Sequence, residues 1–180
     1  MSQLTVYSDQ DPGAHEAMYA EPGQIRATLA THGVEFARVT ALAEIDPGAD
    51  ADAVLAAYAP FIAAQKAELG YQTADVIRIV RGAADGPALR AKFLREHTHT
   101  EDEARLFAEG RGAFYLHLGG KVLVVVCERG DYLRVPAGTR HWFDTGPDPE
   151  LTAVRLFIEP AGWVASFTGE TIADRFPRFE

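Results

Sequence analysis

Apolar positions follow a helical spacing in parts of the first half of this chain and an alternating spacing through most of the second, with the change near His97. Leu4 to Tyr7 reads as a short strand. Ile25 to Leu29 fall within a short helix that ends at Gly33, and Val34 to Thr40 then look extended. Asp46, Pro47 and Gly48 favour a turn, with Asp50 or Asp52 placed to cap the next helix. From Ala53 to Glu68 the pattern is helical, with Leu55, Tyr58, Phe61 and Ile62 on one stripe and Gly70 closing it. Val76 to Val80 is a strand candidate, and Pro87 opens a second helix carrying Leu89, Phe93 and Leu94.

Beyond residue 97 short β-rich runs succeed one another: Arg105–Ala108, Ala113–Leu118, Val122–Cys127, Tyr132–Val135, His141–Phe143, Ala153–Ile158 and Gly162–Phe167. Turn residues separate them, among them Gly119-Gly120, Gly130-Asp131 and Pro136-Ala137-Gly138. Closely spaced strands of this kind predict an antiparallel barrel or sandwich. The expected protein is mainly β with flanking helices, a single domain over residues 1–180. Helices and edge strands of residues 1–95 surround a barrel core of 96–168, and 169–180 form a C-terminal tail.

Composition narrows the function. Acidic residues outnumber basic ones 26 to 17, for a formal charge of −9. No basic stripe exists to displace the counterions of a phosphate backbone, so a nucleic-acid partner is not expected. The longest apolar run, Val122 to Cys127, is too short for a membrane helix. The first residues lack the basic-then-apolar pattern of an export signal, so a cytoplasmic location is expected. Cys127 is the sole cysteine, which excludes an internal disulfide and a cysteine-based metal cluster.

The chemistry concentrates in HTHTEDEAR, residues 97–105. On an extended strand alternate side chains share a face, so His97 and His99 can point at one ion, with Glu103 of the same parity. His141 comes just after the Pro136/Gly138 turn, and an adjacent strand can bring it across the barrel. Three imidazoles and a carboxylate are too nitrogen-rich for Ca²⁺ or Mg²⁺ and suit a divalent transition metal. A lone His-x-His pair would read as surface histidines; the added spacing to Glu103 and His141 favours a metal site.

At these positions the chain resembles the cupin superfamily. His97, His99, Glu103 and Gly110 fit its first pattern, and Gly130, Pro136, Gly138 and His141 fit its second. A narrower resemblance runs over nearly the whole sequence. EHTHTEDEAR, VPAGTRHWFDTG and GWVASFTGETIADRFPR are similar to the acireductone dioxygenases of methionine salvage. This likeness implies a jelly-roll barrel, a monomer, and one Fe²⁺ or Ni²⁺ held by His97, His99, Glu103 and His141. It implies a methylthio-bearing acireductone and O₂ as substrates. With Fe²⁺ the products would be formate and 4-methylthio-2-oxobutanoate; with Ni²⁺, formate, carbon monoxide and 3-methylthiopropanoate.

Arg105 shares the parity of Glu103, so it should face the same cavity, where a fixed cation can bind an enediolate oxygen. In the family resembled, the matching Arg promotes the substrate dianion. The alternative is a surface Arg paired with Glu103 or Glu101. Glu96 and Asp102 have the opposite parity, so neither should bind metal; hydrogen bonds to the imidazoles would be their physical use. The family assigns such carboxylates to metal incorporation and to transmitting conformational change. Phe93, Phe143 and Trp163 are candidates for an apolar wall around a thioether tail. His117 lies outside both motifs and reads as a cross-strand or surface histidine, no role falls to His15 or His32, and Cys127 reads as buried and inert. Two other readings of the same barrel are another cupin dioxygenase or isomerase, and a non-enzymatic ligand sensor.

Overall fold

The sixteen-residue strand β6 (Glu103–Leu118) runs through two sheets and joins them. In the computed structural model, which describes residues 1–159 and 164–180, its first half pairs with β8 (Asp131–Val135) and β10 (Leu151–Phe157). Its second half pairs with β7 (Lys121–Glu128) and β9 (Arg140–Asp144). Gly110 makes the corner with φ +70°, and a Cβ there would lie 1.9 Å from the Glu150 carbonyl oxygen, so only glycine fits. Just before this corner the β6–β10 register shifts, leaving Ala108 without an opposite residue. The slip reverses which parity faces inward. Phe107 precedes it and Phe114 comes after it, yet both lie in the same interior cluster.

Around β6 the first sheet runs β11 (Ser166–Phe167), β5 (His97–Thr98), β9, β6, β7, β1 (Gln3–Ser8), β2 (Asp11–Tyr19). The second runs β3 (Glu35–Arg38), β8, β6, β10, β4 (Thr73–Ile79). All pairings are antiparallel. The two inner faces enclose a core of Leu4, Phe36, Phe107, Phe114, Leu123, Leu133 and Phe143, closed at one side by Ile25 and Leu29 of α1 (Pro22–Ala30). Such burial excludes water from the barrel interior, which is the main favourable term in forming it. The helices α2 (Ala51–Ala57) and α3 (Ala59–Leu69) put Val54, Tyr58 and Ile62 on the outer face of the second sheet, over Leu106, Tyr132 and Val154. Fold and topology are those of a cupin-type barrel with flanking helices.

Several elements differ from the sequence-based expectation. The single helix expected over Ala53–Glu68 is two, because Pro60 lacks an N–H and its ring would clash with the turn before it; it sits in the first turn of α3 instead. The two strands expected at Arg105–Ala108 and Ala113–Leu118 are one bent strand. Strand β2 escaped notice because DPGAHEAMY contains Pro12 and Gly13; at a sheet edge with its residues mostly exposed, a missing donor costs little. Of the strand expected at Gly162–Phe167, Ser166–Phe167 form β11, and residues 160–163 lie outside the described residues. The C-terminal segment packs closely against the barrel: Ala173 and Phe176 cover Trp142 and Tyr115 on the outside of the first sheet. Tyr115 donates to the Pro177 carbonyl at 2.7 Å, and Asp144 accepts from the Phe179 N–H at 3.1 Å. No helix among the described residues is long and apolar enough to cross a membrane.

Candidate metal centre

His97 is placed by a β-ladder. It lies directly opposite His141 in the β5–β9 pairing, while β11 flanks β5 on its other side with Phe167 opposite His97. His99 comes just after β5, the chain bends over residues 100–102, and Glu103 begins β6 in the second sheet. The expectation of one continuous strand from His97 to Glu103 is therefore corrected: the carboxylate comes from the facing sheet, and the Gly138 N–H bonding the His99 carbonyl at 2.9 Å fixes the bend. One atom from each of His97, His99, Glu103 and His141 lies within 4.8 Å of every other, and all four residues are buried.

The orientations fit a common ion. Each imidazole uses Nδ1 on a backbone carbonyl: His97 on Arg95 at 2.7 Å, His141 on Thr139 at 2.8 Å, His99 on Val164 at 3.3 Å. A donated Nδ1 proton fixes the tautomer and leaves Nε2 as a lone-pair donor facing inward. Glu103 Oε2 lies 2.7 Å from His141 Nε2 and 3.4 Å from His99 Nε2. Two donors each about 2.1 Å from one ion at a right angle would be about 3.0 Å apart, between those values. Glu103 Oε1 is paired with Arg105, but neither Glu103 Oε2 nor His141 Nε2 has hydrogen-bond geometry with a neighbour, although both are buried. Polar atoms packed together and aimed at one point without bonding one another are what a cation would satisfy.

The electrostatics favour the same use. Burial, with the neighbouring His141, lowers the His97 pKa to about 4, so the ring is neutral and able to ligate at physiological pH. Burial opposes ionisation of Glu103, but Arg105 and His141 outweigh it and hold the carboxyl well below its usual range. Arg105 is buried, with Nη2 2.6 Å from Glu103 Oε1 and its guanidinium 5.1 Å from the centres of both Phe114 and Phe143. Burial, with Arg155 nearby, pulls its pKa down against the pull of Glu103; a guanidinium keeps its proton at neutral pH even so. The pairing with Glu103 that the alternative reading named is present, but the side chain is buried rather than at the surface.

The flanking carboxylates do something other than expected. Glu96 and Asp102 stay out of the cluster, yet neither bonds a cluster imidazole, because backbone carbonyls already hold every Nδ1. Glu96 instead accepts from His117 Nδ1 and from Thr168 Oγ1, both at 2.7 Å. Asp102 accepts from Arg134 and from the Ala137 N–H, both at 2.9 Å, tying the bend to the turn that precedes His141. His117 is thus a cross-strand histidine whose side chain is 9% exposed. Glu101, offered by the sequence only as a possible partner of Arg105, takes the N–H groups of Ile158 and Glu159 on one oxygen.

Of the candidate apolar wall, Phe143 is fully buried beside Arg105, and Phe93 meets it edge-on at 6.3 Å between ring centres. Trp163 lies outside the described residues. Phe114, 6.3 Å from the His141 ring and 4.8 Å from Phe143, was missed. Alternation backward from Leu116, which lies opposite His141, would have found it, had the inward parity been known. Cys127 is buried, and burial raises its thiol pKa well above the usual value.

Fold and cluster together define a cupin-type barrel with a buried site of three histidines and one glutamate suited to a metal ion. Residues 4–165 match the ARD/ARD' family, and the chain belongs to that family. It is 51% identical over 180 residues to acireductone dioxygenase of Pseudomonas aeruginosa, covering all of this chain and 99% of that one. It is 47% identical over 180 residues to that of Marinobacter nauticus, with 100% and 97% covered. Among solved structures, acireductone dioxygenase from Bacillus anthracis, with a cadmium ion in its active centre, superposes with a TM-score of 0.80 at 27% identity. That match covers 93% of this chain and 98% of the other.

Proposed function

We propose that this chain is a metal-dependent dioxygenase that cleaves 1,2-dihydroxy-3-keto-5-methylthiopentene with O₂ in methionine salvage, in the cytoplasm. His97, His99, Glu103 and His141 would hold one Fe²⁺ or Ni²⁺ per chain. The observation that carries the reading is the convergence of three inward Nε2 atoms and one carboxylate in a buried pocket, in a chain about half identical to enzymes of that name. When bound, the ion supplies Lewis-acid polarisation and a template on which an enediolate can chelate.

The chain's own residues do the rest. Arg105 holds a permanent cation beside Glu103 in a water-poor setting, where it favours loss of the substrate's second proton and binds the resulting oxygen. Phe143 and Phe93, with Trp163, would line the path of the methylthio tail. Burial of the four ligands keeps bulk water from the reacting carbons. Both oxygen atoms of O₂ end in the products, so the reaction needs no external reductant. Stripping the metal, reloading with Fe²⁺ or Ni²⁺ and analysing the products tests this. The Fe²⁺ form should yield formate and 4-methylthio-2-oxobutanoate, and the Ni²⁺ form formate, carbon monoxide and 3-methylthiopropanoate. Identical products from both forms would refute metal-controlled branching.

A further inference from the structure

Strand β5 is only two residues long, yet it carries His97 and leads directly to His99. Its backbone pairings are correspondingly few: His97 opposite His141 on one side, Thr98 and His97 opposite Ser166 and Phe167 on the other. A ribbon this short does not hold a ligand to a fraction of an ångström by its ladder alone. Something beside it must.

The buried carboxylate of Glu96, immediately before His97, makes that connection. One oxygen takes the Thr168 hydroxyl at 2.7 Å, and the Thr168 N–H bonds the Glu96 carbonyl at 3.2 Å, so residue 168 is fastened to residue 96 twice. The other oxygen takes His117 Nδ1 at 2.7 Å. His117 stands in β6, whose neighbouring Leu116 lies opposite His141 in the β6–β9 ladder. Its Nε2 faces Asp9 Oδ2, at the end of the β1–β2 hairpin, 3.5 Å away. Glu96 and His117 are both at least nine-tenths buried, and a buried carboxylate deprived of a partner is costly.

We infer that His117 is a positioning residue for the metal centre, acting through Glu96 and Thr168 to fix the ribbon that presents His97 and His99. It contacts no ligand itself. Its Nδ1–H bond ties the metal-bearing ribbon to the long strand β6, so the ribbon's place is set by the most extensively paired strand of the barrel. Outer partners of metal ligands typically contribute about 10–100-fold in affinity.

The inference rests on reading the four residues as metal ligands, and its test separates the two. Apo protein is titrated with Co²⁺, reading the dissociation constant and the visible d–d spectrum, for wild type, His117→Leu, His117→Asn, Thr168→Val and Thr168→Ser. His117→Leu should still bind one Co²⁺ per chain, about 10–100-fold more weakly and with shifted bands. Asn can place a donor near the position of Nδ1, so His117→Asn should regain most of the affinity and the wild-type spectrum. Thr168→Val should weaken binding in the same way and Thr168→Ser should not. If His117→Leu fails to fold, the Thr168 pair carries the test. Wild-type affinity and spectrum in folded His117→Leu, or equal losses in His117→Leu and His117→Asn, would overturn the inference. A wild-type chain that takes up no Co²⁺ would overturn the metal reading and this inference with it.

Discussion

Arg105 and His141 both touch Glu103, one on each oxygen, and the difference between their roles can be measured. His141 offers a lone pair, so His141→Ala removes a ligand and should weaken metal binding by more than the roughly 10–100-fold typical of outer partners. Arg105 offers a charge. In the apo protein Arg105→Ala leaves Glu103 buried without its cation, a loss on the order of 3–5 kcal/mol. A bound divalent ion replaces that compensation, so metal-loaded Arg105→Ala should recover stability and keep near-normal metal content. Its turnover should still fall by the equivalent of about 2–4 kcal/mol, because the substrate's second charge has lost its partner. Metal analysis and kcat/KM on both variants check this. Full metal content in His141→Ala, or unchanged turnover in loaded Arg105→Ala, would reverse the assignments.

At the scale of elements, the centre depends on one strand crossing between sheets. Gly110 allows the crossing, and the slip at Ala108 lets Arg105 and Phe114 face the same interior although their positions differ in parity. Gly110→Ala should therefore cost more than about 2 kcal/mol, since both the positive φ and the 1.9 Å approach of the Glu150 carbonyl resist a side chain. For a chain of this size each kcal/mol is about 2–4 °C in Tm, so a calorimetric fall of several degrees is expected. An unchanged Tm would mean the corner relaxes freely. This corner also marks where sequence reading ran out. The ligand residues were legible because their types and spacing are chemically unusual. The turns were legible because Gly and Pro punctuate them. The bulge, the bend at residues 100–102 and the edge strand β2 were not, since each is set by tertiary pairing rather than by local preference. Glu96 and Asp102 lie outside the four-residue cluster, and their partners, His117, Thr168, Arg134 and Ala137, come from strands and turns that no parity argument reaches.

Taken whole, the molecule divides its labour by layer. The interior of the barrel is apolar around one polar cluster, the helices α2 and α3 shield the second sheet, and the C-terminal segment shields the first. The strands β6 and β9, which carry Glu103 and His141, are thus backed by packed outer layers, which suits a site that must hold its donors rigidly. The central claim is that one metal ion at this cluster makes the chain an oxygen-consuming enzyme for an acireductone. The most direct measurement takes metal-free protein, adds Fe²⁺ in steps under anaerobic conditions, and then tracks acireductone loss and O₂ uptake together. The account predicts no activity above the uncatalysed rate without metal, a linear rise that saturates at one ion per chain, and one O₂ consumed per acireductone. Protein carrying one bound ion per chain that consumes neither substrate above the uncatalysed rate would contradict it.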